Sequence, residues 1–113
     1  MHEFSLATEI VEIVKKSALN AGKEKVTAIQ LEIGEISGVE EPALMTALDS
    51  LTENTIMQNA VIAVDRPKGM ARCKECQTQF EMNDLFELCP NCNSYFKDIV
   101  SGKEFNILSI EAE

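Results

Sequence analysis

The feature that most limits what this chain can become is a pair of matched cysteine turns, Cys73-Lys-Glu-Cys76 and Cys89-Pro-Asn-Cys92, twelve residues apart. All four cysteines of the 113-residue chain lie in them. Two residues between sulfurs let one tight turn aim both at a single point. Two such turns facing each other supply four thiolates at tetrahedral corners, the ligand set of a structural zinc ion. A tetrathiolate is closed to water and substrate, so the metal is expected to hold structure rather than do chemistry. Two disulfides would need an oxidising compartment, and no secretory signal is visible. A redox dithiol usually occupies one C-x-x-C at a helix start, and iron also accepts four thiolates. The matched spacing, with no cysteine left over, favours zinc among these.

Charge narrows the partners. Ten basic side chains face nineteen acidic ones, a net charge of −9, and residues 70–100 hold three basic against five acidic before any thiolate is counted. A zinc ribbon that grips nucleic acid needs a basic face to neutralise phosphates. No nucleic acid is therefore expected as a partner. Nor is a membrane, because no apolar run comes near the roughly 18 residues that span a bilayer. The chain is expected to be soluble and cytoplasmic.

The rest of the chain reads as short regular elements. Ser5 is a candidate N-cap, and Leu6, Ile10, Ile13 and Val14 recur at helical spacing up to a stop at Gly22, predicting a helix over Ser5–Ala21. Val26–Ile33 alternates, with Ile29, Leu31 and Ile33 on one face of a half-buried strand. The loop Gly34–Gly38 breaks it. Glu40-Glu41-Pro42 opens a second helix, with acids at its positive end and Leu44, Ala47, Leu48 and Leu51 as its buried stripe. Ala60–Arg66 and Phe105–Ile110 read as two further strands. The expected fold is α+β: a three-stranded sheet with two helices, and a four-cysteine zinc-ribbon domain inserted before the last strand. Residues 1–69 and 101–113 would form one domain and 70–100 the other. Some thirty residues with few large apolar side chains need metal binding to fold.

Catalytic signals are missing. No glycine loop fits a phosphate, and the single histidine, His2, leaves no Ser-His-Asp or Cys-His pair, so an enzyme is not expected. His2 admits another use. The amine of Met1, the His2 backbone nitrogen and the His2 imidazole can close adjacent chelate rings around one ion. A backbone nitrogen or the carboxylate of Glu3 could complete a planar, nitrogen-rich set that suits Ni(II) or Cu(II). The bulk of His2 should protect Met1 from aminopeptidase. Residue type and spacing alone favour a plainer reading, a frayed terminus with an incidental histidine. Glu32, Glu35, Glu40 and Glu41 read as a solvated acidic face, and Met45, Met57, Met70 and Met82 as packing residues.

Three segments together change that balance. Met1-His2-Glu3, the run Leu31-Glu-Ile-Gly-Glu-Ile-Ser-Gly38-Val-Glu and the paired C-x-x-C turns resemble the HypA/HybF nickel metallochaperones of nickel–iron hydrogenase maturation, and the resemblance extends to Leu108-Ser-Ile-Glu111. It implies a nickel-binding α/β domain (1–69 and 101–113) with the zinc-binding domain (70–100) inserted in it. Nickel would be cargo, held by His2 with Met1 and with Glu3 at the adjoining acidic position. Zinc would be resident on Cys73, Cys76, Cys89 and Cys92. The implied partners are a nickel-handling maturation GTPase and the hydrogenase large-subunit precursor, with urease accessory proteins in some relatives. Some relatives carry a histidine near the position of Cys92, and this chain has none there. A homodimer and a monomer are both compatible with the sequence. The competing readings are a zinc-ribbon adaptor without metal delivery and an oxidoreductase working through the cysteine pairs.

Overall fold

Helix α1 (Glu3–Asn20) starts earlier than its sequence suggests, in a computed structural model that describes residues 2–113. His2 takes the N-cap position and Ser5 lies inside the helix, so Ser5 is not the cap. The helix ends as Gly22 dictates. Gly22 adopts φ +70, its N–H donates to the Leu19 carbonyl, and the Lys23 N–H donates to the Ala18 carbonyl. Those two bonds form a Schellman motif, which satisfies carbonyls the helix leaves unpaired. The buried stripe is Ala7, Ile10, Val11, Val14 and Ala18, and Ile13, expected in it, is 52% exposed. At 100° per residue Ile13 falls roughly a third of a turn from the centre of that stripe.

Strand β1 (Val26–Ile33) buries Val26, Ile29, Leu31 and Ile33, and the residues between them are half-buried. Helix α2 (Glu41–Thr52) has Glu40 as N-cap and Pro42 in its first turn, where a missing N–H costs nothing. Leu44 and Leu48 are fully buried, while Ala47 and Leu51 are half-buried. The chain then forms β2 (Val61–Asp65), β3 (Met70–Cys73), β4 (Gln79–Glu81), β5 (Lys97–Ser101) and β6 (Phe105–Ala112). One sheet has the order β2-β1-β6, so the last strand pairs beside the first, and a second has the order β4-β3-β5. The α+β class, the three-stranded sheet with two helices and the cysteine segment ahead of the last strand all stand as expected. The second sheet lies in the cysteine segment, whose short strands carried no periodicity long enough to read.

Two compact units divide the chain. The first comprises Met1–Leu31, Val39–Val64 and Ile107–Glu113, with α1 packed on α2. The second comprises Glu32–Gly38 and Asp65–Asn106, and so takes in flanks on both sides of residues 70–100. Ile36 is the reason for part of that: it is buried with Ala71, Cys73, Phe80, Met82 and Cys89 in the second unit's core. Met57 and Met82 are packing residues, each 1% exposed. Among the described residues, no helix is long and apolar enough to cross a membrane.

Candidate metal centre

The two cysteine turns have the same backbone build. At the end of β3, the Cys73 N–H donates to the Thr78 carbonyl (2.9 Å) and the Gln77 N–H donates back to the Cys73 carbonyl (3.0 Å). In the second turn the Cys89 N–H donates to the Ser94 carbonyl (2.9 Å) and the Asn93 N–H to the Cys89 carbonyl (2.8 Å). The residue after each second cysteine bends the chain back through the left-handed region, Gln77 at φ +65 and Asn93 at φ +61. Each turn therefore presents two sulfurs on the same side. The Cys76 N–H also points at the Cys73 sulfur, 3.5 Å away.

The four sulfurs converge. All lie within 4.8 Å of one another, with Cys73 Sγ 3.5 Å from Cys92 Sγ and Cys76 Sγ 3.6 Å from Cys89 Sγ. Zinc–sulfur bonds of about 2.3 Å place tetrahedral corners about 3.8 Å apart, whereas a disulfide needs about 2.05 Å. The spacing fits a tetrathiolate ion site, and the four cysteines are free thiols rather than disulfides.

Electrostatics point the same way. The Thr78 hydroxyl, 3.2 Å from Cys76 Sγ, donates to the ionised sulfur; with the Asn91 side chain and the Thr78 amide it brings Cys76 down to about 5. The Cys76 amide, with that of Glu75, lowers Cys73 in spite of burial. The Ser94 amide favours ionisation of Cys92, but the neighbouring Cys73 sulfur, burial, and the Cys76 and Cys89 sulfurs outweigh it and push Cys92 up to about 12. Four sulfurs this close cannot all carry charge unless a cation sits among them. A dication removes the conflict, which is the donor chemistry of a closed zinc site.

The other expected ligands lie elsewhere. His2 is exposed at the N-cap of α1, and its carbonyl accepts the Leu6 N–H (3.1 Å). Met1 lies outside the described residues. Glu3 is held by its carboxylate: Oε2 accepts the backbone N–H of Glu40 (3.1 Å), the N-cap residue of α2. That bond, followed by one from its own backbone N–H, lowers the Glu3 carboxyl below its ordinary value. Among the described residues Glu32, Glu35, Glu40 and Glu41 form no metal-holding group, and Glu32 instead accepts the Asn106 side-chain amide at 2.9 Å. Sequence reading missed Gln77, Thr78, Asn91, Asn93 and Ser94. Part of the signal was present, since each C-x-x-C is followed by an amide residue and then a hydroxyl residue.

A family profile described as hydrogenase/urease nickel incorporation, metallochaperone, HypA matches residues 1–112. A protein from Parabacteroides distasonis called hydrogenase maturation factor HypA is 44% identical over 110 residues, covering 97% of this chain and 96% of the relative. One of the same name from Prosthecochloris aestuarii is 39% identical over 113 residues, covering 100% of both chains. A solved structure called the solution structure of HypA protein superposes with a TM-score of 0.72 at 25% identity, covering 100% of this chain and 97% of that one. The solution structure of the nickel metallochaperone HypA from Helicobacter pylori has the same fold, with a TM-score of 0.69 at 24% identity, covering 99% and 97%.

Proposed function

Since this chain belongs to the HypA family of hydrogenase/urease nickel-incorporation metallochaperones, we propose that it carries Ni(II) at its N-terminus and delivers it to the large-subunit precursor of a nickel–iron hydrogenase. The carrying observation is the placement of His2. The chain's single histidine is exposed at the head of α1, while every thiol is committed to a separate cluster. The Met1 amine, the His2 nitrogens and a nitrogen of Glu3 supply the donors. Because the Glu3 carboxylate is engaged by the Glu40 N–H, Glu3 serves nickel through its backbone and holds the clasp through its side chain.

Cys73, Cys76, Cys89 and Cys92 hold a resident Zn(II). That ion would neutralise the thiolates and cross-link the two turns, with no open position for a reaction. The first compact unit is then the nickel-binding domain and the second, residues 70–100 with their flanks, the zinc-binding domain. The protein is not an enzyme in this reading. It acts in the cytoplasm with a nickel-handling maturation GTPase, and urease accessory proteins are a second destination. Nickel competes with protons for the amine and the imidazole, so affinity falls as acid protonates them. A terminal site with few anchoring side chains also releases its metal readily, as a carrier must.

Nickel titration of untagged, zinc-loaded protein tests the proposal. His2→Ala should lose the tight nickel site and keep one equivalent of zinc, and acetylating the N-terminus should do the same. If His2→Ala binds nickel as the parent does, the N-terminal clasp is wrong. A zinc-ribbon adaptor would keep its activity when acetylated.

A further inference from the structure

The zinc-bearing unit carries an open groove of about 270 Å³ that the nickel chemistry does not use. Its apolar lining includes Leu85, Phe96 and Ile99. Ile99 pairs with Ala71 across β3 and β5, and paired residues in antiparallel strands point to the same side of the sheet. Ala71 is completely buried, yet Ile99 is 39% exposed. The core face of this sheet therefore loses its cover at β5, an edge strand. Phe96 beside it is 64% exposed. Large apolar side chains clustered in an open concavity mark a binding surface rather than ordinary scatter.

The charged part of the lining has the opposite sign to the molecule. Lys74, Lys97 and Lys103 line the groove with no carboxylate among its lining residues, in a chain of net charge −9. Lys97 is fixed in place: its Nζ donates to the Glu87 and Tyr95 carbonyls (2.9 and 3.3 Å) and stands 4.2 Å from the centre of the Tyr95 ring. Those partners are neutral, so they orient the charge without cancelling it. Lys74 reaches one carboxylate, Asp98, at 3.5 Å across exposed surface, where screening makes such a pair weak. Screening over about 8 Å also lets a local patch of this kind oppose the global charge.

We propose that this groove docks an acidic segment of another protein. One large apolar side chain of that segment packs on Leu85, Phe96 and Ile99, and flanking carboxylates meet Lys74, Lys97 and Lys103. A nucleic-acid strand would find the same lysines, but three cations on an acidic chain are a short track for a phosphate backbone. Docking requires neither His2 nor nickel, so it stands or falls separately from metal delivery.

The test is an amide-shift titration of zinc-loaded full-length protein without nickel. The probes are a short peptide of Asp and Glu with one central Phe, the same peptide with Ser for Phe, and oligothymidylate. The Phe peptide should shift the amides of Lys74, Tyr95–Ile99 and Lys103. Lys74→Glu/Lys103→Glu should weaken it on the order of tenfold, as expected for losing two complementary charges. Phe96→Ser, an exposed site whose loss leaves the core intact, should weaken it while Lys74 and Lys103 remain. The proposal is overturned by no shift at millimolar peptide, by equal binding of the Ser peptide, or by tighter binding of oligothymidylate. It is also overturned if the charge-reversed protein binds as before, or if the same amides shift with protein concentration alone, which would assign the groove to a second copy of the chain.

Discussion

Glu3, whose backbone is part of the proposed nickel clasp, bonds through its side chain to a residue far along the chain. The Glu40 N–H favours its ionised form, so the carboxyl titrates below its ordinary 4.5. A lowered folded value means the bond's contribution to stability is complete above pH 4.5 and disappears as pH falls through the folded value. The Glu40 amide resonance should therefore titrate with a midpoint below 4.5, and Glu3→Gln should abolish that titration. A midpoint at or above the ordinary value would remove the clamp. Asn93 offers a second test at this scale. Its φ of +61 suits Asn but not a β-branched side chain, so Asn93→Val should destabilise the second cysteine turn by about 1–2 kcal/mol. Weaker zinc retention against a competing chelator is the readout, and unchanged retention would mean the turn does not need that conformation.

Among the elements, the segments flanking the cysteine sheet are locked by glycines. A Cβ on Gly34 would collide with the Gly102 carbonyl. One on Gly102, at φ +108, would lie 2.6 Å from the Gly69 Cα and 2.7 Å from Ile36 Cγ1. Gly34→Ala and Gly102→Ala should each cost about 1–3 kcal/mol or more, seen as a lower melting temperature of the zinc-loaded protein. The helix pair answers differently. Leu48, fully buried on α2, should cost about 2–5 kcal/mol when cut to Ala, whereas Ile13→Ala on the exposed side of α1 should stay within about 1 kcal/mol. Amide protection in α1 and α2 measures both, and equal losses would show that Ile13 packs after all.

For the molecule as a whole, the two compact units have unequal means of staying folded. The first has two helices with five and two buried apolar residues, besides its strands. The second has a core of six buried residues, two of them cysteines. A zinc ion on the four proposed thiolate ligands would supply roughly 10 kcal/mol or more, large beside what so small a core supplies. Chelating the zinc should therefore strip amide protection from Asp65–Asn106 while α1 and α2 keep theirs, and simultaneous loss everywhere would show one cooperative structure instead. The amino-acid sequence by itself determined the cysteine cluster, the helices, the strands of the first sheet and the glycine stop at Gly22. Each is written in neighbouring residues, as a repeat of spacing or a backbone preference, and needs no knowledge of distant chain. Only the tertiary structure decided that Glu3 bonds Glu40, that Gly34 and Gly102 touch, that Ile13 faces outward and that the sheet lies open at Ile99. Periodicity tells which residues share a face, but how far the covering element extends over that face is settled by contacts between segments remote in sequence.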